Sequence, residues 1–323
     1  MNKQDKALAL LERGIRALQA MTYDEARQHF EEALQLDDSL AAAYSNLGLI
    51  AMGEAQPDKA RNYFEQALKK DPRDFSTCNN LAALEQSLNR LAEAEQYYLK
   101  AIQLNPASSE SYYNLGLLYS KQDKLNPAKA MFEKVTQIDP DNLEAFYMLG
   151  NVYALLQDYY AAVANFQYLV FHKPEIQEAR VALAEMYRRQ GKYPLAIQEL
   201  RGAIRDNPDD PDLIQHLGLV FMETANGEMA LGAFERVVQL DPERPEAFEI
   251  LAILYDVAGF AEAALEACAE ALRLAPDNER TREVYEELKQ KLADKPVSDA
   301  VTSPEVAVEN EPVAVQEEES HDD

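Results

Sequence analysis

Cysteine is scarce. Cys78 and Cys268 are the only two, too few and too far apart for a disulfide framework or a metal-binding spacing, and both read as small core hydrophobes. The eleven glycines are scattered singly, with no GxGxxG or GxxxxGK string to cradle a phosphate. The four histidines, His29, His172, His216 and His321, lie in different segments, none at ligand spacing from another. No nucleophile and base fall together, and the abundant carboxylates read as a solvated helical surface. The sequence therefore predicts no enzyme, no metal and no cofactor.

Long apolar runs are missing as well. Nothing approaches the roughly 18 residues of a membrane span, and the opening MNKQDKALALLERG holds no apolar core of signal-peptide length. A cytoplasmic chain without a membrane span is the expectation. Positive charge is short: 31 basic residues stand against 57 acidic ones, a net charge of −26. Such a chain is highly soluble and repels another polyanion, so nucleic acid is not an expected partner.

What the chain does have is a repeat. Its 323 residues, 47% apolar, would suit one large domain, two ordinary ones or an array. The string SYYNLGLLY from Ser111 has a near copy in AYSNLGLIA from Ala43 and a looser one in EAFYMLGNVY from Glu144. Rows of 34 laid from Ala7 give eight without insertion: 7–40, 41–74, 75–108, 109–142, 143–176, 177–210, 211–244 and 245–278. Place twenty is alanine in every row, place eight is always Gly or Ala, and place thirty-two is proline in all rows but the first, which has Asp38. Small residues at eight and twenty let two antiparallel helices approach. Larger ones at four, seven, eleven and twenty-four fill the space around the contact, as Tyr112, Leu115, Tyr119 and Phe132 do in the fourth row. The proline has no N–H to continue the second helix and forces an exit.

This pattern resembles the tetratricopeptide repeat family over Ala7 to Asn278. The resemblance implies an all-α fold, a right-handed α-solenoid superhelix of eight helix pairs whose first helices line a concave groove. Beyond it, 279–294 places Val284, Tyr285, Leu288 and Leu292 on one face and reads as a C-terminal capping helix. From Lys295 to Asp323 the composition turns acidic and proline-bearing, without aromatics, and reads as a disordered tail.

A helix turns about 100° per residue, which puts places four, seven, eight and eleven on the core side. Places two, five, six, nine, twelve and thirteen then face a ligand. The outward set in rows two to five includes Asn46, Asn79, Asn80, Tyr113, Asn114, Leu117, Tyr147 and Asn151; row six offers Arg188 and Arg189, and later rows turn acidic. Asn46, Asn80 and Asn114 share place six, and such a ladder can bond successive peptide groups of an extended chain whatever its side chains. Solvated asparagines common to the family are the alternative. Tyr113 and Tyr147 are candidate apolar anchors, and Arg188 and Arg189 a candidate grip on carboxylates, the chain's own tail included, or else two solvated arginines at a helix C-terminus. The carboxylate clamp of co-chaperones in this family is absent, since its lysine and asparagine places hold Leu11 and Ile15 in the first row.

Leu8, Leu11, Ile15 and Leu18 form a second apolar stripe on the first helix, with no earlier row to cover it. It reads as a self-association edge or partner dock, with partial cover by the helix's own residues and by Met1 to Lys6 as the alternative. The functional expectation is a non-catalytic adaptor that holds a peptide or protein segment in its groove. A self-associating scaffold, a homo-oligomer through the N-terminal repeat, is the alternative.

Overall fold

The computed structural model describes residues 2–293. The acidic tail expected over 295–323, its folding back over the groove, and residue 294 of the capping segment lie outside the described residues.

The described residues form α-helices and no strand: α1 (Lys3–Gln19), α2 (Tyr23–Leu36), α3 (Ala41–Gly53), α4 (Pro57–Lys70), α5 (Phe75–Ser87), α6 (Leu91–Leu104), α7 (Ser109–Lys121), α8 (Leu125–Ile138), α9 (Leu143–Leu155), α10 (Tyr159–His172), α11 (Gln177–Arg189), α12 (Tyr193–Asp206), α13 (Pro211–Glu223), α14 (Gly227–Leu240), α15 (Pro245–Ala258), α16 (Ala261–Leu274) and α17 (Glu279–Ala293). From α3 on, each first helix of a pair starts at the first place of its row; every second helix starts at the seventeenth. Local chemistry sets these starts. Asp74, Ser108, Asn142, Asp158, Asp210 and Asn226 accept from backbone N–H groups of the following turn. Pro57, Pro211 and Pro245 take a first-turn position where no N–H is required. At α1, Asn2 and Asp5 close a capping box and carry the helix back to Lys3.

The stops are equally regular. Place fifteen is left-handed in every row, at Met21, Ala55, Asn89, Asp123, Gln157, Gly191, Ala225 and Gly259, with φ between 55° and 85°. The N–H of the next residue returns to the carbonyl five positions earlier, as Thr22 does to Ala17 at 2.9 Å and Lys124 to Tyr119 at 2.9 Å. Second helices end on a residue that has left the helical region, such as Asp71 with φ −129° and ψ 93° or Asn105 with φ −135° and ψ 89°, just before the row's proline. Proline disfavours helical geometry in the residue before it. Asp37 is also extended without a following proline, so the proline reinforces this exit rather than creating it.

By their contacts the described residues form two compact units that divide between Glu199 and Leu200. In the first, Phe30, Phe64, Phe132 and Phe166 at place twenty-four are almost wholly buried over the glycines at place eight of their own rows. Every alanine at place twenty, in both units, is fully buried. In the second, Phe234, Val237, Leu251 and Leu288 share one cluster, and Val284 and Tyr285 of α17 pack against it. Each unit is an all-α stack of antiparallel helix pairs.

One expectation needs correction. Places three and ten are as buried as places seven and eight: Ala43, Thr77, Ser111 and Ala145 at three, and Ile50, Leu84, Leu118 and Val152 at ten. Tyr44, Tyr112 and Phe146 at place four are only half-buried. The first helix of a pair packs on its own second helix and on the second helix of the preceding pair, so its buried stripe is wider than the contact within one pair requires.

Candidate functional site

Within the first unit, first helices of successive pairs also approach one another directly, α1 with α3, α3 with α5 and α5 with α7. That puts the first helices on the inner side of the stack. Place five on these helices departs from the sequence expectation.

In repeats two to four, place five is a polar seam to the next repeat. Ser45 accepts a bond of 2.8 Å from Thr77 Oγ1. The Asn79 Nδ2 donates to Glu110 Oε1 at 2.9 Å, and Asn79 is only 3% exposed. The Tyr113 hydroxyl bonds the Glu144 carboxylate, and burial first, with that carboxylate second, pushes the phenol's pKa up. The second unit repeats the device: Arg244 Nη1 donates to Gln215 Oε1 at 2.8 Å, and Asn278 Nδ2 to Glu249 Oε1 at 2.6 Å. Asn79 is thus no groove-facing amide. It is a buried link from the third repeat to the fourth, because a place-five side chain reaches the first turn of the next first helix before it reaches solvent.

At Tyr147 the seam gives way to a cavity. Tyr147 rests edge-on against Phe166 at 5.9 Å between ring centroids, as Tyr113 does against Phe132 at 5.7 Å. Both tyrosines are therefore held by the core of their own helix pair. Together with Leu143, Met148, Leu169 and Ile176 they wall a half-open cavity of about 330 Å³, and Glu144 and Glu178 stand at its rim. The walls come from α7, α9, α10, the segment after α10, and the first turn of α11.

Other expected groove residues divide. Asn46 spends an amide proton on its own helix, bonding the Ala42 carbonyl at 2.8 Å. Asn80, Asn114 and Asn151 are half-buried on the same helical faces. Leu117, like Tyr113 and Met148, is partly buried against the core cluster that contains Phe132. Arg188 and Arg189 do not present an open fork: Arg188 Nε bonds Glu185 Oε2 at 2.6 Å, and Arg189 Nε bonds Glu185 Oε1 at 2.7 Å. Burial raises the Glu185 carboxyl, but the bonds from the two arginines outweigh it, and the pKa is lowered. A carboxylate one helical turn away has occupied the grip that the sequence left open.

The N-terminal stripe is also used internally. Leu11, Ile15 and Leu18 are half-buried and pack on the cluster of Ala17, Phe30, Ala43 and Leu47, while Leu8 remains 45% exposed. The next pair covers the stripe from one side, so an edge of four leucine-like residues is reduced mainly to Leu8.

The sequence reading passed over Leu143, Glu144, Met148, Leu169, Ile176 and Glu178. Two signals carried them. Glutamate stands at place two in three consecutive rows, at Glu110, Glu144 and Glu178. And α10, YYAAVANFQYLVFH, contains no Asp, Glu, Lys or Arg. Among the described residues no group of His, Cys, Asp and Glu is arranged to hold a metal ion, and no helix is long and apolar enough to cross a membrane.

Comparisons with known proteins agree with this architecture. Family models described as tetratricopeptide repeat match residues 109–142, and residues 45–109, 156–211 and 217–279. A search of curated proteins found no match. Among solved structures, YrrB, described as a TPR protein with an unusual peptide-binding site, is 27% identical, with a TM-score of 0.52 over 57% of this chain and 95% of its own. PilF of Pseudomonas aeruginosa is 21% identical, with a TM-score of 0.56 over 69% of this chain and 98% of its own. A tetratricopeptide repeat protein of Parabacteroides merdae is 17% identical, with a TM-score of 0.53 over 78% of this chain and 99% of its own. With the 34-residue period, the paired helices and the matched family models in agreement, this chain belongs to the tetratricopeptide repeat family.

Proposed function

We propose that the protein is a non-catalytic adaptor that holds an extended segment of a partner protein against the first helices of its N-terminal unit. One observation carries this reading. In repeats two to four the place-five side chains bond the next repeat, whereas at Tyr147 an apolar cavity opens, and its wall residues Tyr113 and Tyr147 are followed on their helices, one and four residues on, by the half-buried Asn114 and Asn151. An apolar recess next to amides on an inner helical face suits a peptide, whose backbone bonds the amides while a side chain enters the recess. YrrB's described peptide-binding site lends the reading support by similarity. A cytoplasmic setting belongs to the same proposal.

Affinity capture with the full chain tests it, wild type beside Asn80→Ala/Asn114→Ala and Tyr147→Ala. Partners lost from both variants place binding in the groove. Partners retained equally by all three proteins place it elsewhere. Self-association through the N-terminal repeat has weaker support, because Leu11, Ile15 and Leu18 are already engaged in the core.

A further inference from the structure

The cavity has a chemistry that the adaptor reading leaves unspecified. We infer that it takes a large apolar side chain, leucine, isoleucine, methionine or phenylalanine, from a partner segment that carries lysine or arginine directly beside it. The inference rests on the proposed groove and adds to it the composition of the partner.

The walls set the kind of side chain that can enter. Leu143, Tyr147, Met148, Leu169 and Ile176 offer carbon to whatever enters, and about 330 Å³ lies at the lower edge of sites that take small molecules. A space of that size suits one large side chain entering from an open side. Water in such a recess finds few partners, so an apolar occupant gains from displacing it.

The rim decides the flanks. Glu144 and Glu178 lie in the first turns of α9 and α11, one on each neighbouring repeat, and both are exposed. The helix dipoles favour carboxylates at these places, yet they leave the negative charge facing outward. Nearby cations are committed elsewhere: Lys173 lies 3.6 Å from Glu175, and Arg180 bonds the Pro174 carbonyl at 2.9 Å and approaches Glu199 at 3.5 Å. Glu144 receives the neutral Tyr113 hydroxyl, which leaves its charge in place. With a net charge of −26 on the chain behind it, the rim attracts a cationic segment and repels an acidic one. The chain's own C-terminal segment, acidic over 295–323, has the wrong sign to be the occupant.

The test is selection of a random 16-residue phage-displayed peptide library on the immobilised full chain, followed by fluorescence-polarisation titration of the enriched peptides. Enriched sequences should pair a large apolar residue with an adjacent Lys or Arg. Glu144→Gln/Glu178→Gln should weaken such a peptide about five-fold, in line with exposed charge pairs. Filling the cavity with Met148→Trp should weaken it about thirty-fold, the equivalent of one leucine side chain returned to water. Glu144→Lys/Glu178→Lys, with an unchanged helical circular dichroism spectrum, should move the preference to Glu-flanked peptides, a gain that unfolding cannot mimic. A synthetic peptide of residues 295–323 should not compete. Enriched peptides that lack the apolar–basic pair yet lose affinity for Met148→Trp would overturn this inference and leave the groove reading standing; peptides that bind all variants equally would overturn both. If no peptide is enriched over a blank surface, the groove reading fails and this inference falls with it.

Discussion

Gly116 and Phe132 meet so closely that a β-carbon on the glycine would lie 2.8 Å from the phenyl Cε1. Gly14 with Phe30, Gly48 with Phe64, Gly150 with Phe166 and Gly218 with Phe234 repeat the relationship. Where place twenty-four holds Leu200 or Cys268 instead, place eight is Ala184 or Ala252; only Ala82 opposite Tyr98 departs from this exchange of volume. The ring and the missing methyl are thus one packing unit written at two places sixteen residues apart.

Gly116→Ala should therefore destabilise the protein by about 1–3 kcal/mol, the cost of overpacking a filled core. It should do so even though alanine favours a helix over glycine by about 1 kcal/mol. Urea midpoints for Gly116→Ala, Phe132→Leu and the double variant give the coupling. Gly116→Ala should cost less once Leu replaces Phe, because the pair then imitates Ala184 and Leu200. A Gly116→Ala protein as stable as wild type would refute the close approach.

The left-handed residue at place fifteen leads to the opposite substitution. Ala55 and Ala225 adopt φ of 55° there, where Gly191 and Gly259 sit without strain. A β-carbon in that region costs on the order of 1 kcal/mol, so Ala55→Gly and Ala225→Gly should each raise the melting temperature, and Gly259→Ala should lower it. If thermal melts show Ala55→Gly lowering it, the turn is not limited by its dihedral angles.

These two relationships differ in how far they could be read from sequence. Small residues at places eight and twenty are visible as repetition, and the helix pairs follow from them. Place fifteen is not visible as repetition, because Met, Ala, Asn, Asp, Gln and Gly all occupy it; the constraint lies in the backbone and the residues tolerate it. The site was legible in part for a related reason. Tyr113, Tyr147 and the asparagines stand on the predicted inner face, but whether place five meets solvent or the next repeat depends on the distance between stacked helices, which one row cannot reveal. For Arg188 and Arg189 the sequence left a grip on carboxylates and two solvated arginines both open; their bonds to Glu185 on the same helix depend on side-chain conformation, which the sequence does not display.

Alkaline pH should expose the tyrosine links between repeats. The Tyr119 hydroxyl donates to Glu95 at 2.9 Å and the Tyr153 hydroxyl to Glu133 at 2.6 Å. Burial, then the carboxylate bond, pushes each phenol up to about 12 from a model-peptide value of 10.0. A raised folded-state pKa means that the stabilisation is complete below pH 10 and is lost as pH rises toward 12. Urea midpoints should stay level through the neutral range and fall between those limits. Tyr119→Phe/Tyr153→Phe should be less stable at pH 8 and should show a shallower alkaline fall; an equally steep fall would assign it to other groups.

Asn79 and Asn114 look alike in the sequence, one place apart on the helices of adjacent rows, and should behave differently. Asn79 is buried against Glu110, so Asn79→Ala removes a link between repeats and should lower stability by about 1 kcal/mol. Its effect on binding should be small, because the side chain does not reach the groove. Asn114 is half-buried on the inner face. Asn114→Ala should leave stability within about 0.5 kcal/mol, the range for substitutions that touch no buried network, and should weaken a groove-bound peptide about five-fold, the worth of one hydrogen bond. Thermal melts and polarisation titrations on the same two proteins separate the roles. Equal losses of stability and equal losses of affinity in both variants would mean that places five and six do the same work, and the division between seam and groove would then have to be abandoned.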